Sequence, residues 1–474
     1  MTSSTPTWMP RFHCMHHLIL PLAVLLLSVP PLSAGDALMP WARPKPPKSK
    51  DAAEKATNHD ASTPRPISGT GKVRVAQQPN GDFVLLRDGK PYYVKGIGGS
   101  VNFELAAASG ANSVRTWGTG GLAQLVPEAR KHGLSVAVGF WLDKNPGSYA
   151  NEGYKNRLRD EVRNVVSQWA KDPAILCWVI GNETNHGADT DDTWKFIGEL
   201  AKLCKDLDKD HPVMTVQAHP GAQTMDRMVN FAPAIDILGV NSYAGVTSWP
   251  NLLGGTTYKG PYIVTEWGVN GHWEVAKTKH GAPIEQTSTE KSVVFAERYA
   301  FIVSQKERCL GSYAFLWGQK QERTPTWYSL FVETLPQVGI SGEATGMVDA
   351  LSKAWSGTAP GNLAPTVEPL RIQGRPVREY QSNGKPFVVN VVASDPNRDK
   401  LTYRYEVMAE ATQLGSGGSF EDRPASVSDA WTAKGPEVTV TVGKPGNYRL
   451  FAYVLDGKGK VGTANLPFWV TRVQ

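Results

Sequence analysis

The fold this sequence predicts is α/β: a closed (β/α)8 barrel of the TIM type, followed by an all-β sandwich of immunoglobulin type. Three observations predict it. Eight short apolar stretches recur between residues 94 and 317, most of them followed by a stretch of helical periodicity. With the helix after the last of them, to residue 355, they fill roughly 260 residues, the size of such a barrel. Beyond a Gly/Pro/Asn linker at residues 357–365 the helical periods stop, and short strands separated by turn residues take over. An open doubly wound sheet is the rival arrangement. It would carry a Gly-rich phosphate loop after its first strand, and Gly96-Ile97-Gly98-Gly99 lacks the acidic residue at the required offset.

Residues 1–34 read as a secretory signal peptide. Arg11 is the only charged residue before Asp36, residues 18–29 are apolar, and Leu32-Ser33-Ala34 is a small-residue cleavage site. The apolar run is too short to span a bilayer, so a secreted or periplasmic protein without stable membrane insertion is expected. Residues 35–70, rich in Pro, Lys, Ala and Asp, read as a flexible tether. Residues 71–357 are expected to form the barrel, with short strands at 72–75 and 83–86 and an Asp88-Gly89 hairpin turn in front of it.

Within the barrel, strands are expected at 91–98, 112–117, 134–141, 174–183, 212–216, 235–241, 261–268 and 311–317. Several helices are equally plain. One spans 121–132 and ends at Gly133, a left-handed cap. Leu158, Val162, Val165, Val166 and Trp169 mark a second; Trp194, Ile197, Leu200, Ala201, Cys204 and Leu207 mark a third. Thr287-Ser288-Thr289-Glu290 is a capping box for a helix to about residue 305, and the last helix is expected at 343–355. Residues 365–474 are expected to form the sandwich, with strands at 387–393, 401–408, 438–442, 448–455 and 468–473.

Composition excludes some functions. Lys and Arg number 50 against 44 Asp and Glu, a net charge of +6 with no basic block, so a nucleic-acid partner is not expected. Past the signal peptide the cysteines are Cys177, Cys204 and Cys309, an odd number, with Cys177 and Cys204 at core-facing positions. Buried inert thiols are expected, and no disulfide can be assigned. Tryptophan is abundant, with 15 copies, many near strand ends or in Gly-rich loops, where sugar-stacking surfaces are made.

Two strands each carry a glutamate at the end. The run 174–183 closes in Gly181-Asn182-Glu183, and 261–268 carries Thr265-Glu266-Trp267-Gly268. Strand C-termini form the active face of a (β/α)8 barrel, so Glu183, ending strand four, and Glu266, ending strand seven, are expected at one mouth. Burial raises a carboxylate's pKa unless polar groups hold it, which suits a group that must release a proton near neutrality. Two carboxylates about 5 Å apart cleave a glycosidic bond with retention. A lone glutamate at a strand end is more often an ion-pair member; two at one rim favour catalysis.

These motifs resemble the acid/base and nucleophile motifs of clan A retaining glycoside hydrolases, in particular the family 2 barrel domain, over roughly residues 83–355. The resemblance implies Glu183 as acid/base, Glu266 as nucleophile, and Asn182 on the sugar 2-hydroxyl. It further implies Arg115 and Tyr243 as partners of the nucleophile and Trp317 as the platform beneath the reacting ring. Trp117, Trp141 and Trp267 are further candidate platforms. Family 2 enzymes carry sandwich domains before the barrel; this chain has one after it, so an endo-acting or transglycosylating enzyme fits as well as an exo-acting one.

No cofactor is expected. A metal site from His272, Glu274 and His280 matches no compact ligand spacing. Asp395-Pro396-Asn397-Arg398-Asp399 resembles a Ca²⁺-binding turn but is equally a good plain turn. Two loops, 267–284 and 318–327, read as cleft walls. The leading expectation is a retaining β-glycosidase acting on a β-linked glycan. The alternatives are a transglycosidase using the same pair and a non-catalytic glycan-binding envelope protein. Sugar identity and oligomeric state are not legible.

Overall fold

Eight parallel strands close into a barrel in chain order in the computed structural model. They are Val94–Gly98, Ser113–Arg115, Ser135–Phe140, Ile175–Asn182, Val213–Ala218, Ile237–Asn241, Tyr262–Trp267 and Cys309–Ala314. From the second strand to the eighth every residue is buried. That is why these strands read as continuous apolar runs rather than alternating ones. The structure describes residues 65–66, 72–415 and 420–471, so the expected signal peptide lies outside it. So does the expected tether, except Arg65–Pro66, a two-residue strand paired with Val73–Gln77. Among the described residues no helix is long and apolar enough to cross a membrane.

The helices pack outside. Glu152–Trp169 is capped by Asn151, whose side chain accepts from the Tyr154 amide, and buries Leu158, Val162 and Val166. Asp191–Leu207 buries Trp194, Ile197, Leu200 and Cys204. Ser288–Ser304 begins with the expected capping box, Thr287 and Glu290 each bonding the other's backbone. Below the barrel, Val73–Gln77 and Phe83–Arg87 form a hairpin whose Val73, Val75 and Leu85 pack on Val94, Leu176, Met214 and Ile237. The Val73 amide donates to Asp210 O at 2.9 Å and the Phe83 amide to Glu307 O at 2.8 Å. One end of the barrel is thereby closed, which leaves the strand C-termini as the open mouth.

Past residue 365 two sheets face a shared core of Val389, Val407, Val438, Leu450, Leu466 and Phe468. One sheet contains Thr402–Ala409, Gly446–Leu455 and Lys460–Val470. The other contains Arg371–Ile372, Phe387–Asn390, Glu437–Val440 and Trp431–Lys434. The last strand corrects the expectation: it starts at Lys460, not at residue 468. The first sheet is mixed, because Tyr380–Ser382 and Ala344–Thr345 both join Lys460–Val470 in parallel. Ala344–Thr345 directly precedes the last barrel helix, Gly346–Ser356, so barrel and sandwich share a sheet. They also share a buried network. Glu285 accepts from Lys291 Nζ at 2.5 Å and from Asn465 Nδ2 at 2.7 Å, and Arg449 Nη2 donates to Pro283 O at 2.9 Å.

Among the described residues the cysteines, Cys177, Cys204 and Cys309, are free and buried. Burial pushes the Cys177 thiol up to about 12 and Cys309 up to about 11, so neither is a thiolate at neutral pH.

Candidate active site

Glu266 sits in the seventh strand with its carboxylate held by three donors from two other strand ends. Arg115, the last residue of the second strand, donates from Nη1 to Oε1 at 3.0 Å. Trp117 Nε1 donates to the same oxygen at 2.7 Å. Tyr243, just past the sixth strand, donates its hydroxyl to Oε2 at 3.0 Å. Burial pushes the Glu266 carboxyl up; the Arg115 guanidinium opposes that, and the nearby Glu183 adds to it. Burial also holds the Tyr243 phenol far above its ordinary range, next to the Glu266 charge, so it stays a donor.

Glu183 follows the fourth strand, and the local backbone turns to aim it. Gly181 has φ 78° and Glu183 φ 54°, both left-handed, and the strand register shifts between Ile180 and Asn182. For a non-glycine residue that conformation costs about 1–2 kcal/mol, and strain of this kind gathers at functional sites. Asn241 Nδ2 donates to Glu183 Oε1 at 2.9 Å and to Asn182 Oδ1 at 3.1 Å. Asn182 Oδ1 also accepts from Arg115 Nη2 at 2.6 Å, and Thr265 Oγ1 donates to Asn241 Oδ1 at 2.8 Å. One polar network therefore joins the two glutamates through Arg115, Asn182 and Asn241. Lys144 Nζ bonds Glu183 Oε2 at 3.0 Å.

Both carboxylates line one cavity of about 830 Å³ at the strand C-termini. Trp117, Trp141, Trp273 and Phe315 supply its aromatic faces, and His186, His219, Glu274, Glu322 and Arg323 part of its polar lining. Trp141 is 46 % exposed and Trp273 57 %, so each presents an open ring.

Two expected platforms are not at the cavity. Trp267 is fully buried and packs on Phe295 and Tyr299 of the helix Ser288–Ser304. Neighbouring residues on a strand point to opposite sides: with Glu266 facing the cavity, Trp267 must face the helices. Trp317 is likewise fully buried, between Phe331 and Trp355. Phe315, two residues earlier, is the aromatic that this strand end presents to the cavity.

The two expected wall loops do contribute, through His272, Trp273 and Glu274 from one and Lys320, Glu322 and Arg323 from the other. His272, Glu274 and His280 do not assemble as a metal site. His272 pairs with Glu322 at 3.4 Å, and Glu274 accepts the Ala244 and Gly271 amides at 3.0 and 2.7 Å. His280 lies against Trp469. Among the described residues, the acidic groups that do converge are Asp395, Asp399 and Asp456, far along the chain in the sandwich. There the Asp395 carboxylate accepts the Asn397 and Asp399 amides at 2.8 and 3.0 Å, as a plain turn would, and Lys458 bonds Asp399 at 2.6 Å. Sequence reasoning missed Lys144 and Asn241. Asn241 carried a signal, an amide closing the apolar sixth strand; Lys144, in a loop, carried none.

No protein-family model matches the chain. It is 26 % identical over 196 residues to the probable mannan endo-1,4-beta-mannosidase A-2 of Aspergillus terreus, covering 37 % of this chain and 48 % of that one. It is 28 % identical over 206 residues to the probable mannan endo-1,4-beta-mannosidase A of Aspergillus clavatus, covering 39 % and 55 %. A putative beta-glucuronidase of Formosa agariphila is 28 % identical over 175 residues, 33 % of this chain and 20 % of that one. The chain thus spans about half the length, or less, of these curated relatives. Among solved structures, Bacteroides uniformis beta-glucuronidase 2 aligns with a TM-score of 0.46 at 15 % identity, over 84 % of this chain and 51 % of that one. A GH2 beta-galacturonidase from Eisenbergiella tayi aligns with a TM-score of 0.45 at 17 % identity, over 62 % and 55 %.

Proposed function

We propose, from the premise that this chain is a clan A glycoside hydrolase of the family 2 type, that it cleaves β-glycosidic bonds with retention of configuration. Glu266 is the nucleophile: its carboxylate adds to the anomeric carbon as the glycosidic bond breaks. Glu183 gives its proton to the departing oxygen, then takes one from the water that releases the sugar. The observation that carries the reading is the set of donors from Arg115, Trp117 and Tyr243 on Glu266, in a cavity that Glu183 also lines. Those donors favour the charged form that the nucleophile needs, against the burial that disfavours it. A protein that only bound glycans would have no use for a buried carboxylate so furnished, which disfavours the non-catalytic alternative.

Asn182, fixed by Arg115 and Asn241, is assigned to the sugar 2-hydroxyl. Trp141 and Trp273, the open rings at the rim, are assigned to sugars flanking the cleaved bond. The fungal relatives, mannan endo-1,4-beta-mannosidases, suggest a β-1,4-linked hexose polymer as substrate. A signal peptide at residues 1–34, and with it secretion or a periplasmic location, belongs to the same proposal. The domain limits 71–357 and 365–474, with the latter an immunoglobulin-type accessory domain, are part of the same proposal.

Proton NMR of the first products tests the mechanism. The β-anomer should appear first and then mutarotate. An α-anomer appearing first would overturn the retaining assignment.

A further inference from the structure

The sandwich reaches the cleft. Gly415, from the loop after Thr402–Ala409, lines the same cavity as Glu183 and Glu266. Arg323 lines it too, and the sandwich holds Arg323 in place. The Arg323 amide donates to Glu421 Oε2 at 2.6 Å, its guanidinium pairs with the other Glu421 oxygen, and Nη2 donates to Gly415 O at 3.2 Å. Glu421 is 1 % exposed, and Gly415 N closes the motif by donating to it at 2.9 Å. A second cavity, of about 640 Å³, opens beside the first, and Lys320 borders both. It is lined by Gln319, Gln321, Thr334 and Glu333 of the barrel and by Phe420 and Arg423 of the sandwich.

Resting on the glycosidase reading, we infer that this second cavity is a distal sugar subsite, built jointly by barrel and sandwich, which binds the continuation of a neutral β-linked chain. Its chemistry fits a pyranose. Phe420 is 75 % exposed, an open ring for the apolar C–H face of a sugar. The Gln319 amide, whose Nε2 also donates to Glu333 Oε1 at 3.3 Å, and the Thr334 hydroxyl offer donors and acceptors for the rim of hydroxyls. The cations at the two cavities are already engaged: Lys320 by Glu322, Arg323 by Glu421, and Arg423 by Glu333 and Glu406. A uronic acid would find its carboxylate facing cations whose charge is already matched, whereas a neutral hexose needs none.

The test compares wild type with Phe420→Ala on mannotriose, mannohexaose and an activated aryl β-glycoside, with gluco- and xylo-oligosaccharides of the same lengths run alongside. Phe420 is exposed, so its loss leaves the core intact; Phe420→Trp checks that an aromatic ring, not phenylalanine itself, is needed. Wild type should favour the hexaose over the triose. Phe420→Ala should raise KM for the hexaose on the order of tenfold with kcat held, leave the triose and the aryl glycoside unchanged, and be rescued by Phe420→Trp. Equal length dependence in wild type and Phe420→Ala would overturn the subsite while leaving the glycosidase reading standing. Preferential turnover of uronic-acid oligosaccharides would overturn the neutral-chain assignment. A wild type inert on every glycoside would overturn the reading beneath the inference and the inference with it.

Discussion

Replacing Tyr243 by Phe removes one oxygen and little else. The ring packs edge-on against Trp273 at 5.7 Å and Phe315 at 6.0 Å, and tilted on Tyr328 at 5.5 Å. Phenylalanine keeps all three contacts, so no cavity opens. The loss is the 3.0 Å hydrogen bond to Glu266 Oε2. A hydrogen bond to a charged group contributes about 1.5–3 kcal/mol, which corresponds to a fall in kcat/KM of about tenfold to a hundredfold. The pH dependence supplies a second signature. In the proposed mechanism Glu266 attacks as the ionised carboxylate, and burial already holds its pKa above the ordinary carboxylate range. Activity is therefore expected to fall as pH drops through that raised pKa. Losing a donor to the charged form raises it further, so the acid limb of the kcat/KM profile should move to higher pH in Tyr243→Phe. Steady-state kinetics on an aryl β-glycoside from acid to neutral pH, with a melting curve to confirm the fold, measures both effects. A kcat/KM within about twofold of wild type and an unmoved acid limb would refute the role given to this hydroxyl.

Glu183→Gln should still form the glycosyl-enzyme from activated aryl glycosides but release it slowly, visible as a burst followed by a slow steady state; a variant with wild-type turnover would remove Glu183 from the acid/base role. Trp141→Ala should raise KM with little change in melting temperature, whereas Trp317→Ala, which empties a fully buried site, should cost about 3–5 kcal/mol of stability; equal thermal effects would contradict the placement of the two rings. Lys291→Met strands the buried Glu285 carboxylate between barrel and sandwich. Denaturant unfolding should show a loss of about 3–5 kcal/mol, and an unchanged midpoint would mean that the network contributes nothing to holding the two together.

The barrel was legible because its strands are buried on both faces, which leaves an unmistakable apolar run such as 174–180. Long helices with a full apolar stripe were legible too. The short ones, Phe103–Ala108 and Trp249–Gly254, were not, because one or two turns carry too little periodicity to stand out. The glutamates showed themselves as charges closing apolar strands. Trp267 lies away from the cavity for a reason the sequence did contain: Glu266 and Trp267 are adjacent on one strand, and alternation forbids both from facing the cavity. Trp317 lies beyond its strand, where no such rule applies. The two-residue strand Ala344–Thr345 that ties barrel to sandwich has no sequence signature, since its partner more than a hundred residues away defines it.

The identity of the nucleophile is the claim on which the rest depends, and a mechanism-based label tests it most directly. A 2-deoxy-2-fluoro glycoside with a good leaving group should form a stable adduct, and peptide mass spectrometry should place the sugar on Glu266. Label on any other residue, or an active enzyme that turns over the probe without trapping it, would contradict the account.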